Sequence, residues 1–319
     1  MCCLFGLIDY KNCLSVRNKE VIIKVLANEC EARGTDATGV AYITEKGMTI
    51  YKKALPAHNM KFKFKGDPKV IMGHTRMTTQ GSEKINANNH PFYTEKLGFA
   101  LAHNGVLYGE KYIRKTEKLP DTDIETDSYI AVQLIDKQNA LSFKSLKYMA
   151  EKIEGSFCFT VLSKDNELYF VKGDNPMCIA HFNGFYIYAS TKEILTKALK
   201  KLGLKKYKEV SIREGEILKI NADGSRERDE FNMNYCYDYG WYGYGGRPYY
   251  YGYGRKKNKE FADEYLEELV ACAKSKGIDK STVYELFDMG YDYLDIEEML
   301  YDPALMYYSL HEEELYDEI

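Results

Sequence analysis

One stretch divides this chain before any other pattern is read. Tyr235 to Gly254 reads YCYDYGWYGYGGRPYYYGYG, followed by Arg255-Lys256-Lys257-Asn258-Lys259. Such text carries neither the period-2 alternation of a half-buried strand nor the 3.6-residue period of an amphipathic helix. Glycine at this density also disfavours a helix, because each one gives up the most chain entropy on folding. A packed core therefore cannot run through it. The shift in composition spans 223–258 and fits two readings: a flexible, adhesive linker, or an aromatic platform for a sugar, a base or a partner protein, with the chain's single tryptophan, Trp241, inside it. What remains is an N-terminal domain over 2–222 and a short C-terminal segment over 259–319.

The N-terminal domain reads as strands with helices between them. Leu4 to Tyr10, Gly47 to Lys52, Lys69 to Met77, Gly98 to Leu107, Ser156 to Leu162, Glu167 to Lys172, Phe185 to Ala189 and Gly215 to Ile220 are β-rich runs bounded by turn residues. Lys164-Asp165-Asn166 is a hairpin signal between two of them. Val21, Ile22, Val25 and Leu26 make one helical face, and Leu146, Met149, Ala150 and Ile153 make another. Antiparallel strands with interspersed helices predict sheets covered by helices, an α+β layered domain.

The C-terminal segment reads as helical. Ala262, Leu266, Leu269, Val270 and Ala273 form a stripe ended by Gly277. Ser281 is placed to cap a helix from Thr282 to Asp288 that stops at Gly290, and Asp292 or Asp295 opens another that stops before Pro303. Residues 281–319 contain no Lys or Arg and finish in HEEELYDEI, so this is either a solvated acidic face or a docking module for a basic partner.

Charge and composition exclude several functions. With 44 basic and 48 acidic residues the net charge is −4, which argues against a nucleic-acid binder needing clustered Lys and Arg. No apolar run approaches the roughly 18 residues of a membrane span. The start, MCCLFGLIDYKN, lacks the charged, apolar and small-residue regions of a signal peptide, so a cytoplasmic chain is expected. The eight cysteines (Cys2, Cys3, Cys13, Cys30, Cys158, Cys178, Cys236 and Cys272) include no C-x-x-C pair, and the six histidines are scattered. Zinc-ligand spacing is therefore absent, no P-loop or dinucleotide glycine fingerprint occurs, and no metal or cofactor is expected. Apart from Cys2, these cysteines read as reduced, half-buried small hydrophobes.

Cys2 is different. Removal of an initiator Met before so small a residue would make it the amino terminus. Its α-amine, titrating near roughly 7.7–8, could then take the proton of its own thiol near roughly 8.5, so one residue would hold nucleophile and base. Four further motifs follow in order: Arg33-Gly34-Thr35-Asp36-Ala37-Thr38-Gly39, Gly73-His74-Thr75-Arg76-Met77-Thr78-Thr79-Gln80-Gly81, Asn89-His90-Pro91-Phe92, and His103-Asn104-Gly105 followed by Glu125-Thr126-Asp127.

After an N-terminal cysteine, this series resembles the class II glutamine amidotransferase domain of the N-terminal-nucleophile hydrolases. The nearest likeness is the glutaminase half of glucosamine-fructose-6-phosphate aminotransferase; amidophosphoribosyltransferase is somewhat further off. The resemblance covers about 2–222, with echoes at 154–162, 186–190 and 213–220. It implies the four-layer αββα fold and hydrolysis of the L-glutamine side-chain amide. Cys2 would form the thioester, and Asn104 and Gly105 would hold the oxyanion. Arg76 would pair with the substrate α-carboxylate and Asp127 with its α-ammonium, with Thr79 adding a hydrogen bond at the same end. Arg33 and Asp36 match the segment bordering the nucleophile.

Plainer readings stand beside these. Arg76 can be an ordinary ion-paired arginine, Asn104-Gly105 a hairpin turn and Asp127 a helix cap. Asp121 and Asp123 read as loop acids. His74, His90 and His103 read as hydrogen-bonded structural histidines rather than a catalytic set. The sequence also departs from the family. Cys3 replaces the usual glycine after the nucleophile, placing bulk and a second thiol beside the site, and GHTRWATHG has become GHTRMTTQG, with Met77 and Gln80 as the changed residues. Beyond 222 the chain is too short and irregular for a sugar isomerase, a phosphoribosyltransferase or a synthetase domain. Three readings follow: a glutaminase subunit supplying ammonia to a separate synthase docked through 223–319, a free amidohydrolase for glutamine or another γ-glutamyl amide, or a silent binding module on the same fold.

Overall fold

Leu4-Phe5-Gly6-Leu7-Ile8 is apolar on both alternating faces, so a strand built from it must be covered on both sides. The computed structural model, which describes residues 2–233, 266, 269–289, 291, 296, 299–300, 306–307 and 310, covers it so. Strand β1 (Cys3–Ile8) is buried at all six positions. It lies within a seven-stranded sheet with β2 (Ala37–Thr44), β3 (Gly47–Lys53), β4 (Val70–Arg76), β9 (Cys178–His181), β10 (Tyr186–Ala189) and β11 (Lys208–Val210), in the order β11-β9-β10-β1-β4-β2-β3. A six-stranded sheet holds β5 (Phe92–Thr94), β6 (Phe99–Tyr108), β7 (Glu154–Ser163), β8 (Leu168–Lys172), β12 (Glu216–Ile220) and β13 (Arg226–Glu230), in the order β13-β12-β8-β7-β6-β5. The paired strands run antiparallel.

Three apolar layers stack the elements. Leu4, Ile8 and Met72 of the first sheet meet Ala100, Ala102 and Phe170 of the second. Phe5 and Leu7 point the other way, onto Ile23 and Leu26 of helix α1 (Val16–Cys30) and Leu195 and Leu199 of helix α5 (Lys192–Lys201). A short helix α2 (Glu110–Thr116) follows β6. Leu101 and Phe159 of the second sheet pack on Ile130 and Leu134 of helix α3 (Tyr129–Lys137) and on Leu146 of helix α4 (Phe143–Ala150). The result is helix, sheet, sheet, helix: the four-layer α+β arrangement.

Local chemistry sets the helix boundaries. Ser15 caps α1 by accepting from Asn18 N at 3.2 Å, and Ser142 and Ser145 form a reciprocal capping box at α4. The apolar stripe expected on α4 is the buried one, whereas on α1 the face is rotated: Ile22, Ile23, Leu26, Ala27 and Cys30 are buried and Val21 is exposed.

The structure adds strands beyond those the sequence suggested: β2, β5, β9, β11 and β13. The last carries the first unit past residue 222, since one compact unit runs to Cys236 and the second from Tyr237 to Ile319. All five residues of β13 are exposed, so its RERDE text had no apolar alternation to reveal it. In the second unit, 269–275 is helical and a further helix spans Lys280–Asp288. Its cap is Asp279 rather than Ser281, because the Asp279 carboxylate accepts from both Ser281 N and Ser281 Oγ, at 2.8 and 2.6 Å. The Tyr/Gly-rich stretch, Ala262, Gly290, Asp292, Asp295 and Pro303 lie outside the described residues. Among the described residues no helix is long and apolar enough to cross a membrane.

Candidate active site

Strand pairing brings the first two site residues together. The β1–β4 register sets Cys3 opposite Thr75, so the position before Cys3 meets the end of β4. Cys2 is half-buried there, and its Sγ accepts from Met77 N at 3.4 Å and donates to Met77 O at 3.5 Å. Arg33 Nε donates to the Cys2 carbonyl at 2.9 Å. Asp36 N donates to Arg76 O at 3.0 Å, and Asp36 Oδ2 accepts from Thr78 N at 2.7 Å. Gly34 lies so close to β4 that a Cβ would sit 2.5 Å from the Arg76 carbonyl carbon, which explains a glycine there. Arg33 and Asp36 thus both hold main chain around Cys2. Burial pushes the Cys2 thiol up, while the Met77 N–H and the Arg76 charge act against it.

Cys3 is not beside the site. Alternation along β1 turns it to the opposite face from Cys2, into the layer between sheet and α1, where its Sγ lies 2.9 Å from Cys30 Sγ. Its bulk is absorbed by the helix-side core, which corrects the expectation of a second thiol in the pocket. Of the other cysteines, Cys30, Cys158 and Cys272 are buried, Cys178 is intermediate and Cys13 is exposed.

Arg76 and Asp127 are the charged pair of interest. Arg76 is 2% exposed. Its Nη1 donates to Asn89 Oδ1 at 2.7 Å, and its Nη2 donates to the carbonyls of Gln80 and Gly81 at 2.5 and 3.0 Å. All three acceptors are neutral, and among the described residues no carboxylate pairs with it. Asp127 is 5% exposed. Its Oδ2 accepts from Leu107 N at 2.7 Å, and its Oδ1 accepts from Ser128 N at 2.6 Å and Ser128 Oγ at 3.0 Å. It too has no countercharge in ion-pair contact among the described residues. The plain reading of Arg76 as an ion-paired arginine therefore fails. Asp127 does help fix the start of α3, but its second oxygen reaches across to β6. Thr79 sits in the turn after β4, at intermediate exposure.

Asn104 and Gly105 lie on β6, not in a hairpin turn; their partners across the ladder are Cys158 and Phe157. Asn104 shares the inner face with Ala100 and Ala102 and is 0% exposed, yet neither its Oδ1 nor its Nδ2 has a hydrogen-bond partner. Gly105 has φ 138°, and a Cβ there would lie 1.9 Å from Ser156 O, so no other residue fits. His74 Nε2 donates to His103 O at 2.9 Å, which ties this part of β6 to β4 two residues before Arg76.

The three histidines form a buried group. The His74 and His90 rings are 4.2 Å apart, and those of His90 and His103 6.5 Å. Burial drives His74 down to about 3 and lowers His90 and His103 too, so all three are neutral near pH 7. His74 and His103 are hydrogen-bonded, the latter through Nδ1 to Ser128 Oγ at 2.8 Å, but His103 Nε2 and both His90 nitrogens lack a partner, so His103 is half satisfied and His90 departs from the expected satisfied state.

Sequence reasoning missed the side chains that hold these groups. Asn89 carries Arg76. Asn88, fully buried, links Ser82 O and Glu125 Oε2 through Nδ2, at 3.2 and 2.7 Å, and accepts from Glu125 N at 2.9 Å. Gln80 Oε1 accepts from Asp127 N at 2.7 Å. The run Asn86-Ala87-Asn88-Asn89 between two strands was the available signal, since asparagine amides commonly pin loops.

Known proteins resemble this chain in sequence and in fold. Residues 74–197 match the family described as "Glutamine amidotransferase domain". Glutamine–fructose-6-phosphate aminotransferase (isomerizing) of Fusobacterium nucleatum is 31% identical over 154 residues, covering 46% of this chain and 25% of that protein. The enzyme of the same name from Staphylococcus epidermidis is 28% identical over 239 residues, covering 72% and 37%. A solved glutamine phosphoribosylpyrophosphate amidotransferase from B. subtilis, complexed with ADP and GMP, superposes with a TM-score of 0.58 at 22% identity, over 73% of this chain and 50% of that one. The chain thus spans well under half the length of the curated relatives it matches.

Proposed function

We propose that the chain carries a glutamine amidotransferase domain of the class II, N-terminal-nucleophile kind, a reading supported by the family match over residues 74–197, and that its site hydrolyses the side-chain amide of L-glutamine through a Cys2 thioester. One observation carries this reading: Arg76 and Asp127 are buried, oppositely charged and each without a countercharge in ion-pair contact among the described residues. Two such charges are costly in a folded protein unless a ligand completes them. The complement of one guanidinium and one carboxylate is a zwitterion, the α-carboxylate and α-ammonium of an amino acid.

The chemistry then follows from the neighbours. With Met1 removed, the Cys2 amine takes the thiol proton and Sγ attacks the side-chain amide carbon. The oxyanion is held by Asn104 Nδ2 and the Gly105 N–H. The C–N bond breaks, the amine returns the proton and ammonia leaves. Water then cleaves the thioester to glutamate and restores the thiol. Arg33 and Asp36 keep the main chain at Cys2 and Thr78 fixed while charge develops.

Ammonia so released is, on this reading, supplied to a separate synthase that docks through 223–319, most of which lies outside the described residues. The free-hydrolase reading gives a different result in one experiment. Ammonia release from L-glutamine is measured for the full chain and for a chain ending at residue 236, each with and without a candidate synthase. A donor subunit is activated by the synthase only when 237–319 are present, whereas a free hydrolase turns over maximally alone. Wild-type protein lacking Met1 that releases no ammonia from L-glutamine would refute the proposal.

A further inference from the structure

Arg76 lies at the end of β4 and Asp127 in the turn just before α3, fifty-one positions apart in the chain. Something must set the spacing between two charges that would grip one small zwitterion. Gln80 touches both. Its main-chain carbonyl accepts from Arg76 Nη2 at 2.5 Å, and its side-chain Oε1 accepts from Asp127 N at 2.7 Å. No other described side chain joins these two residues directly: Asn89 holds Arg76 alone, while Leu107 and Ser128 hold Asp127 alone.

We infer that Gln80 is a positioning residue that gauges the distance between the guanidinium and the carboxylate, and thereby makes the site selective for a substrate with both an α-carboxylate and an α-ammonium. The inference rests on the proposed glutamine reading. A glutamine suits the task for two reasons. Its length lets a turn residue after β4 reach the main chain before α3. Its amide is neutral, so it accepts the Asp127 N–H without offering Arg76 an internal counterion. A glutamate would reach equally far, but its negative charge would sit beside a guanidinium that otherwise has only neutral partners, and would compete with the substrate carboxylate.

Two substitutions separate these contributions. Gln80→Met keeps the length and removes the acceptor; Gln80→Glu keeps the acceptor and adds the charge. Gln80 is only half-buried in a turn, so both should fold. Each is assayed with L-glutamine and with its analogue lacking the α-amino group, 4-carbamoylbutanoate. In Gln80→Met, KM for L-glutamine rises about tenfold with kcat nearly unchanged, the scale of one lost neutral hydrogen bond. The analogue, which never engages Asp127, changes little, so discrimination between the two falls. In Gln80→Glu, KM rises for both substrates, because both carry the carboxylate with which the introduced side chain competes, and discrimination is kept. Wild-type activity with L-glutamine, together with equal losses on both substrates in Gln80→Met, would overturn the inference and leave the glutaminase reading standing. Wild-type protein with no preference for L-glutamine over the analogue would overturn both.

Discussion

Replacing Asn104 by leucine should make the protein more stable and nearly inactive, and the two effects have one cause. The side chain is 0% exposed, and neither amide atom has a hydrogen-bond partner. A buried, unsatisfied polar group costs about 1–3 kcal/mol. Leucine branches at the same carbon and fills nearly the same space, and its neighbours on the inner face include Ala102 and Cys158, which welcome an apolar group. Asn104→Leu is therefore expected to gain up to about 3 kcal/mol, and at about 2–4 °C per kcal/mol for a unit of this size its unfolding midpoint should rise by several degrees. On the proposed mechanism the same change also removes one of the two oxyanion donors, a loss of about 10²–10³ in kcat. The assay pairs urea unfolding of the full chain with initial rates of ammonia release. Stability that falls by more than about 1 kcal/mol would mean the amide is satisfied in the folded state. A kcat within a few-fold of wild type would remove Asn104 from the reaction.

Three further outcomes are expected. Intact mass of active protein should lack Met1; Cys2→Ala should abolish turnover with the fold intact, whereas Cys3→Ala, which alters only the layer against α1, should keep it. Arg76→Ala should weaken L-glutamine, read as kcat/KM, by about 2–5 kcal/mol, the cost of leaving a charge of the substrate unpaired, and should matter far less for a simple amide without an α-carboxylate; equal losses on both would make Arg76 structural. The buried histidines should make the fold acid-sensitive. His74 falls to about 3 when folded, against roughly 6.5 unfolded, so the unfolded chain binds the proton first. Its contribution is complete above about pH 6.5 and is lost as pH drops toward 3, about 1.5–2 kcal/mol by pH 5 for this residue alone, with His90 and His103 acting in the same direction. A urea midpoint that does not move between pH 7 and pH 5 would contradict this.

The layered fold was legible because its central strands are apolar on one or both faces. Leu4 to Ile8, Val70 to Met72 and Phe157 to Leu162 announce themselves by β-branched and aromatic density, and the stripe on α4 by its spacing. Strand β2 was hidden by its composition: Ala37-Thr38-Gly39 continues a run whose Gly, Thr and Asp read as turn, although Val40 and Tyr42 are core residues. Edge strands β11 and β13 were hidden because exposed edges need no alternation. On α1, two runs of three apolar or small residues, Val21-Ile22-Ile23 and Val25-Leu26-Ala27, left the face ambiguous, and the tertiary contact with β1 chose Ile23 over Val21. The motif residues could be named from sequence because each stands in a fixed order. Asn88, Asn89 and the side-chain role of Gln80 could not, since their work is to join segments distant in sequence, and no local pattern records which amide reaches which carbonyl.

The same contrast explains why the site sits where it does. The inner face between the sheets is apolar through Leu4, Met72, Ala100 and Phe170, and there every polar atom must be matched or excluded. At one end of that layer, among the described residues, stand a guanidinium and a carboxylate with no ion-pair contact and an amide with no hydrogen-bond partner. Each is fixed in place by neutral hydrogen bonds: Arg76 by Asn89, Gln80 and Gly81, Asp127 by Leu107 and Ser128, and the strand carrying Asn104 by the bond from His74 to His103. Neutral partners hold direction without cancelling charge. Had Arg76 and Asp127 been allowed to pair with each other, the fold would be more self-sufficient and an amino acid would have to break that pair to bind. On the proposed reading, keeping them apart leaves the pairing to the ligand, so that the binding energy of its α-groups would be available to place the side-chain amide against Cys2.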